Sequence, residues 1–298
     1  MRELWQAGEN TWYVYSRNIF GFYQLNETDV CMIDTGRDPE DIEFAEKVLA
    51  DKGWNLKFII NTHTHIDHIG GNKALMAKWG CPAYTTRIER IFAEYEELEP
   101  AFMFGGRPSA EVREVFKHPG DIGFRDIEDF ELPDGFEILH MPGHTFGMIG
   151  VKTPDDVWFV ADSIMNRKAL KKYPFGFLIN VESYLETLEK LKGLEGKFFI
   201  PAHGESMGKE IASLAEENTA NIRRHIDFIA GCCRGGKSVD LVVRDVFKEY
   251  GMKETEIQYT LVASTVRCYL TYLKDAGRME CYSDDGLIKW KTIDGGTI

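Results

Sequence analysis

The amino-acid sequence predicts a mixed α/β fold, in which helices pack on β-sheets, followed by a smaller and mainly helical domain. The first observation is that short apolar runs of strand length alternate with runs of helical period over residues 1–206, which is typical of helices layered on a sheet. The second is that the strand pattern largely stops after Ser206 and helical periods replace it. We therefore expect a first domain at residues 1–206 and a second at residues 207–298.

A change of hydrophobic period places the first strands and the first helix. Apolar and polar residues alternate through residues 11–34, with turn residues between the runs, which predicts three strands. From Asp38 the spacing becomes helical, so a helix is expected between Pro39 and Gly53. Later apolar runs predict strands at residues 57–61, 136–141, 157–161 and 197–201, and a helical period predicts a helix over residues 181–191.

Residues 86–117 form a long excursion between the strands. Apolar residues at helical spacing predict one helix near its start and a second around residues 112–116, with an interruption from Gly105 to Pro108. Long excursions between elements are often functional, whereas amphipathic helices usually pack on a core. The segment is therefore either a lid over a site or a packed helical insertion.

The predicted second domain differs from the first in charge as well as in period. It carries 13 Lys and Arg against 14 Asp and Glu, so nearly all of the net charge of −13 belongs to the first domain. Helical periods run through residues 209–231, 238–250 and 256–275, and a turn between two short apolar runs then predicts a hairpin. Two short helices, a longer third helix and a hairpin suggest a winged-helix arrangement.

The composition excludes several classes of protein. No apolar run approaches the roughly 20 residues that a membrane span needs, and Glu9 interrupts the N-terminus before a secretory core could form. The 6 Cys include no CxxC pair, which indicates reduced thiols in a cytoplasmic protein. The negative net charge repels nucleic acid and anionic membranes at long range, so we expect neither as a partner, although it does not forbid a local basic site.

The strongest chemical signal is the segment HTHIDH, which lies between a predicted strand and a predicted helix. A loop at that point lets closely spaced side chains converge, which a straight strand would not. Neutral imidazoles suit zinc and iron, and a carboxylate adds negative charge. The segment supplies enough donors to begin two metal sites, from His63, His65, Asp67 and His68.

Three further candidate ligands each follow an apolar stretch. They are His144 in the run PGHT, Asp162 after the run WFVA, and His203 in the run AHG. Loops at one edge of a sheet can bring such residues together. The sequence therefore predicts one metal centre from seven side chains that are far apart in the chain.

These motifs, in this order and preceded by Asp34 in the run IDTG, resemble those of the metallo-β-lactamase superfamily of metallohydrolases. The resemblance implies an αββα sandwich with a dinuclear site at one edge, loaded with two divalent ions. Zinc is the first expectation, and His/Asp sites also accept iron and manganese. By the same resemblance, one ion would be held by His63, His65 and His144, the other by Asp67, His68 and His203, and Asp162 would bridge them.

Departures from relatives within the superfamily narrow the expected chemistry. Asp162 stands where lactam-cleaving enzymes have Cys, and His65 stands where flavodiiron oxygen reductases have Glu. Persulfide dioxygenases bind a single iron. The presence of a second set of candidate ligands therefore argues that this chain is not one of them. We therefore expect a hydrolase in which a metal-bridging hydroxide attacks a small anionic ester, thioester or lactone, with Asp67 moving a proton to the leaving group and Asp34 orienting a ligand from behind.

Several alternatives remain open at this point. A phosphodiesterase or endoribonuclease is the second interpretation, and an iron-dependent oxygenase or a nucleic-acid-binding regulator follow.

The basic run after Asp162 either binds an anionic substrate group or is a solvated charge run, and the tail either packs at the mouth of the site or forms a homodimer contact. His118 and His225 are expected on the surface. The candidate substrate-binding residues are Arg167, Lys168, Lys171, Lys172 and Tyr173.

Overall fold

The computed structural model describes residues 2–118, 120, 122–206 and 208–293. Its larger sheet has seven strands that neighbour one another in chain order, antiparallel from the first to the fourth and parallel from there on. The strands are β1 (Glu3–Gln6), β2 (Thr11–Tyr15), β3 (Phe20–Gln24), β4 (Asp29–Ile33), β5 (Asn55–Ile60), β6 (Ala83–Thr85) and β7 (Arg125–Asp126).

A second sheet of four strands packs against the first. Its strand order is β11-β10-β9-β8, and only the β10–β11 pair is parallel. The strands are β8 (Glu137–His140), β9 (Ile149–Thr153), β10 (Val157–Ala161) and β11 (Phe198–Pro201).

Helices cover the outer faces of both sheets. The first of them confirms the expected boundaries, because Asp41 accepts the N–H of Asp38 at 3.2 Å and Gly53 takes a left-handed φ of 67° just past the last turn. In chain order the helices before the tail are α1 (Pro39–Lys52), α2 (Ile66–Ile69), α3 (Asn72–Trp79), α4 (Arg87–Glu94), α5 (Leu98–Phe104), α6 (Ala110–Phe116), α7 (Arg167–Lys172) and α8 (Val181–Lys192).

The alternation of side chains along the strands builds separate cores on the two faces of the larger sheet. Val30 and Met32 of β4 point toward α1, whereas Cys31 and Ile33 point toward the second sheet. A third core lies between the second sheet and the helices beyond it. Three cores between four layers confirm the predicted αββα arrangement.

The excursion at residues 86–117 contains three helices, α4, α5 and α6, rather than the two predicted.

The expectation that His118 and His225 lie on the surface is wrong, because each is about 1% exposed. His118 contacts the carboxylate of Glu99 and the carbonyl of Phe92, and His225 contacts Tyr269 and the carbonyl of Pro174. These partners compensate for the loss of water around each ring.

The tail consists of three helices followed by a hairpin, as predicted. Its first helix has 22 residues, close to the predicted span 209–231, so the first helix and not the third is the longest. Its core is continuous with that of α8 and the second sheet. The classification as a winged helix and the boundary at residue 206 stay predictions. No helix among the described residues is long and apolar enough to cross a membrane. The tail elements are α9 (Ile211–Cys232), α10 (Val239–Tyr250), α11 (Glu256–Asp275), β12 (Met279–Asp284) and β13 (Leu287–Thr292).

Candidate metal centre

The seven predicted ligands meet at one edge of the sandwich, where several strands end. The segment HTHIDH begins three positions after the end of β5, Asp162 directly follows β10, and His203 lies two positions after β11. His144 lies in the turn between β8 and β9. Both sheets therefore contribute to the same cluster. The structure brings together every candidate ligand that the sequence pattern indicated, in two groups whose donor atoms lie within 4.8 Å of one another.

The first group consists of His63, His65, His144 and Asp162. Nδ1 of His65 lies 3.1 Å from Nε2 of His63 and 2.9 Å from Nε2 of His144. Oδ2 of Asp162 lies 3.6 Å from Nε2 of His63 and 3.5 Å from Nε2 of His144. These spacings place one carboxylate and three ring nitrogens around a common point.

The second group consists of Asp67, His68 and His203. Nε2 of His203 lies 3.3 Å from Oδ2 of Asp67. Asp162 reaches this group as well, because its Oδ2 is 3.3 Å from Nε2 of His68 and its Oδ1 is 3.6 Å from Nε2 of His203. A carboxylate that contacts both groups has the placement that a bridging ligand needs.

The donor set fits a pair of divalent cations. Nε2 of His68 is buried and makes no well-aligned hydrogen bond, although Oδ2 of Asp162 lies 3.3 Å away, and a cation bound by both atoms would satisfy them. Burial holds the pKa of His63 and of His65 well below the ordinary value, so both rings are neutral. Neutral imidazoles beside ionised carboxylates are the protonation states in which these side chains bind metal ions.

The pKa values of His68 and His203 move the other way. Burial lowers the pKa of His203, but the carboxylates of Asp162 and Asp67 outweigh burial and raise it to about 9. For His68, burial is likewise outweighed by Asp34 and Asp162, and its pKa rises well above the ordinary value. The clustered carboxylates therefore attract positive charge to this edge, which a metal cation satisfies better than protons on histidine.

Several ligand rings are fixed from behind by hydrogen bonds at the nitrogen that faces away from the cluster. Nδ1 of His68 lies 2.8 Å from Oδ2 of Asp34, as expected for a carboxylate that orients a ligand. Nδ1 of His144 donates to the carbonyl of Phe177 at 3.1 Å, and Nδ1 of His203 donates to the carbonyl of Arg17 at 2.9 Å. These bonds select the tautomer that leaves Nε2 free for a metal ion.

The backbone is strained where site residues leave the strands. Asp34 has a φ of 57° and Ala161, next to Asp162, has a φ of 50°, a region that non-glycine residues rarely adopt. At Gly143, next to His144, φ is 129° and an added Cβ would lie 2.5 Å from Cα of Tyr184. The turn that presents His144 therefore requires glycine.

Glu89 was not singled out by the sequence analysis, yet its buried carboxylate joins two ligand-bearing loops. It accepts hydrogen bonds from the backbone N–H of Thr64 at 3.1 Å and from the backbone N–H of Gly147 at 2.8 Å. The hydroxyls of Thr64 and Thr145 donate to the same carboxylate at 3.0 and 2.6 Å. Glu89 therefore ties the histidine-rich loop to the PGHT turn.

Glu99 is a second residue that sequence reasoning missed. Its Oε1 lies 3.5 Å from Nε2 of His65, and its other carboxylate oxygen contacts His118. Burial raises the pKa of Glu99 and the contact with His118 opposes that rise. Glu99 thus stands behind His65 as Asp34 stands behind His68. In the sequence, the only signal for Glu99 was that an acidic residue lies on the face of a helical pattern that is expected to be buried.

Replacing Glu99 with glutamine is expected to weaken metal binding by about 10- to 100-fold, the range typical for a carboxylate behind a ligand histidine. The measurement is a competition titration of the metal-free protein against a chromophoric chelator. Glu97→Gln is the matched control, because Glu97 is an exposed neighbour that pairs with Arg107. Equal affinities for the two variants would contradict the positioning role of Glu99.

The predicted substrate-binding residues lie on α7 and just beyond it. Arg167 forms ion pairs with Glu210 at 2.6 Å and Glu217 at 2.8 Å, and Lys168 contacts Glu205 at 3.4 Å. Among the other candidates, the Lys172 ammonium lies 4.6 Å from the centre of the exposed Tyr173 ring, and Lys171 is exposed. Their role in substrate binding stays a prediction, and acidic partners already neutralise part of the charge of this helix.

Comparison with known proteins places the site in a family context. Residues 18–203 match the metallo-beta-lactamase superfamily. A hydroxyacylglutathione hydrolase of Pelagibacter ubique is 33% identical over 117 residues, which span 38% of this chain and 37% of that protein. The probable metallo-hydrolase YflN of Bacillus subtilis is 29% identical over 188 residues, which span 54% of this chain and 70% of that protein.

Solved structures share the fold over nearly the whole chain. A metallo-beta-lactamase family protein from Thermus thermophilus superposes with a TM-score of 0.71 at 19% identity, covering 93% of this chain and 94% of that one. The covered region includes most of the helical tail. The superposition shows that the tail as well as the sandwich follows an arrangement found in another protein.

Proposed function

This chain belongs to the metallo-beta-lactamase superfamily, and from that premise we propose that it is a hydrolase that uses two divalent metal ions to cleave a small ester, thioester or lactone. The observation that carries the proposal is the convergence of five histidines and two aspartates in two adjacent groups. The buried Nε2 of His68 supports it, because this nitrogen makes no well-aligned hydrogen bond and lies 3.3 Å from the Asp162 carboxylate, so that a cation could bind both.

We assign the ligands by group. His63, His65 and His144 would hold one ion, and Asp67, His68 and His203 would hold the other. Asp162 would contact both, since its carboxylate lies 3.5–3.6 Å from His144 and His63 of the first group and 3.3–3.6 Å from His68 and His203 of the second. Bound there, the ions would supply an ionised water near neutral pH and positive charge to stabilise a developing oxyanion.

The remaining chemistry belongs to the protein. Asp67 is a carboxylate at the mouth of the second group and would carry a proton to the leaving group. Its pKa is held low: burial alone would raise it, and the contact with His203 outweighs burial. Asp34 would keep the His68 ring in the tautomer that binds metal, through the 2.8 Å contact to Nδ1.

A thioester is the first substrate class to test. Several relatives, including the one from Pelagibacter ubique, are named hydroxyacylglutathione hydrolases. Asp162 at the bridging position argues against lactam cleavage as the native role. The phosphodiesterase alternative rests on the tail and on the basic run, and in that run Arg167 and Lys168 already pair with glutamates, which weakens the support for it.

The proposal predicts that protein purified without added metal carries about two ions per chain, as a paired-metal site requires. Element-resolved analysis of metal content measures this. A panel of a hydroxyacylglutathione, an aryl ester, a lactone and an aryl phosphodiester then measures hydrolysis. Chelation is expected to reduce hydrolysis to background, and added zinc to restore it.

Each other outcome selects a different function. A single iron with oxygen uptake would replace the hydrolase by an oxygenase. Cleavage restricted to the phosphodiester, and falling steeply with salt, would favour a nuclease. Metal-loaded protein that cleaves no member of the panel would refute the proposed substrate class.

A further inference from the structure

An aromatic pocket opens directly beside the candidate metal centre. Its empty volume is about 310 Å³, a figure that includes space open to solvent. Three phenylalanines form one wall, with ring centroids 5.6 Å apart for Phe92 and Phe102 and 5.4 Å apart for Phe102 and Phe146. The apolar lining residues are Phe92, Phe102, Met103, Phe146, Phe177 and Ile179.

The pocket is continuous with the metal centre. His65 and His144 line it and also belong to the first ligand group. The ring of Phe177 lies 5.9 Å from that of His65 and 5.6 Å from that of His144. A molecule whose reacting carbonyl lies at the metal centre would therefore extend one of its substituents into this pocket.

The polar groups in the pocket wall are already engaged by the protein. Glu89 accepts four hydrogen bonds from the two ligand loops, including those from Thr64 and Thr145, the other polar lining residues. Glu99 is shared between His65 and His118. Of the described residues that line the pocket, none is Lys or Arg. The wall therefore offers no charge complementary to an anionic group, and its two buried carboxylates disfavour one.

We propose that this pocket is the acyl subsite and that it binds an uncharged, apolar acyl group. The inference rests on the proposed hydrolase function and deepens it, since it assigns the acyl side of the substrate. Phenylalanine side chains at edge-to-face spacing are well suited to an aryl or branched alkyl group. Any anionic part of the substrate would belong to its leaving group, outside the pocket.

The insertion at residues 86–117 supplies Phe92, Phe102 and Met103, half of the apolar lining. The excursion would then form part of the substrate-binding wall beside His65. Specificity for the acyl group would therefore depend on this segment, whereas metal binding depends on the ends of the strands.

The test compares phenylacetyl and acetyl thioesters of one thiol. The wild-type protein is expected to prefer the phenylacetyl ester in kcat/KM, and Phe102→Ala to reduce that preference by about tenfold or more. Phe104→Ala is the matched control. It lies on the same helix, both side chains are 42% exposed, and Phe104 does not line the pocket. No preference in the wild type, or equal preference in the two variants, would overturn the inference.

A binding measurement separates this inference from the proposed function. Ligand-observed NMR on the metal-free protein is expected to detect phenylacetamide but not acetamide, and Phe102→Ala to weaken the phenylacetamide signal. If binding follows this pattern while no ester is cleaved, the hydrolase proposal fails and the apolar subsite stands. If esters are cleaved without acyl preference and phenylacetamide does not bind, the subsite fails and the hydrolase stands.

Discussion

Asp162→Ala is expected to abolish hydrolysis, with a loss of about 10³-fold or more, and to reduce the metal bound per chain. The reason is geometric. The Asp162 carboxylate lies 3.3–3.6 Å from ring nitrogens of both ligand groups. Without it, the two groups lose the anion between them and repulsion between two cations is no longer offset.

The fold should survive this substitution, because the Asp162 side chain makes its contacts within the cluster. Metal analysis, hydrolysis rates and the far-UV circular dichroism spectrum measure the three expectations separately. Asp129→Ala is the control, since the Asp129 side chain is 78% exposed and contacts only Arg87 among the ion pairs of the described residues. Full activity and full metal content in Asp162→Ala would exclude the two-metal assignment.

Glu89→Ala is expected to lower the free energy of unfolding by about 3 kcal/mol or more. Bonds to a charged acceptor contribute roughly 1.5–3 kcal/mol each, and this carboxylate accepts four of them. Alanine would leave the buried backbone N–H groups of Thr64 and Gly147 without an acceptor. Urea denaturation monitored by tryptophan fluorescence measures the change.

Two further variants make the test of Glu89 specific. Glu89→Gln keeps the shape but places an NH₂ group against one of the two backbone N–H donors, so an intermediate loss is expected. Glu94→Ala is the control. Glu94 lies on the same helix, and the substitution removes only a partly exposed ion pair with Arg90, which contributes about 1 kcal/mol or less. A loss in Glu89→Ala no larger than that in Glu94→Ala would contradict the role of the buried carboxylate.

The ligand set could be predicted from the sequence because its members occur in compact motifs. His63, His65, Asp67 and His68 lie within six positions, and each remaining ligand follows a recognisable apolar strand. Most of the strands were found from their apolar patterns, but β1, β6, β7 and β9 were not predicted. Local sequence patterns were therefore sufficient to identify the candidate metal ligands, because each ligand lies in or beside a short motif.

The groups behind the ligands could not be predicted in this way. Glu89 and Glu99 lie on helices of the insertion and act on loops 25 residues or more distant in the chain. The carbonyls of Arg17 and Phe177 carry no side-chain signal at all. Their roles depend on how separate elements pack, and a periodic pattern specifies which face is buried but not what it is buried against.

Helix α11 touches both walls of the aromatic pocket without contributing a lining residue. It packs against α5 and α6, Ser109 donates to Glu256 at 2.9 Å, and Cys268 donates to the carbonyl of Ile179 at 3.1 Å. Under the proposed function, the residues at the strand ends would hold the metal ions, and the tail would support the pocket walls that select the substrate. With this separation, the range of substrates could change among descendants of one gene through substitutions in the pocket walls, while the metal-binding residues and the reaction stayed the same.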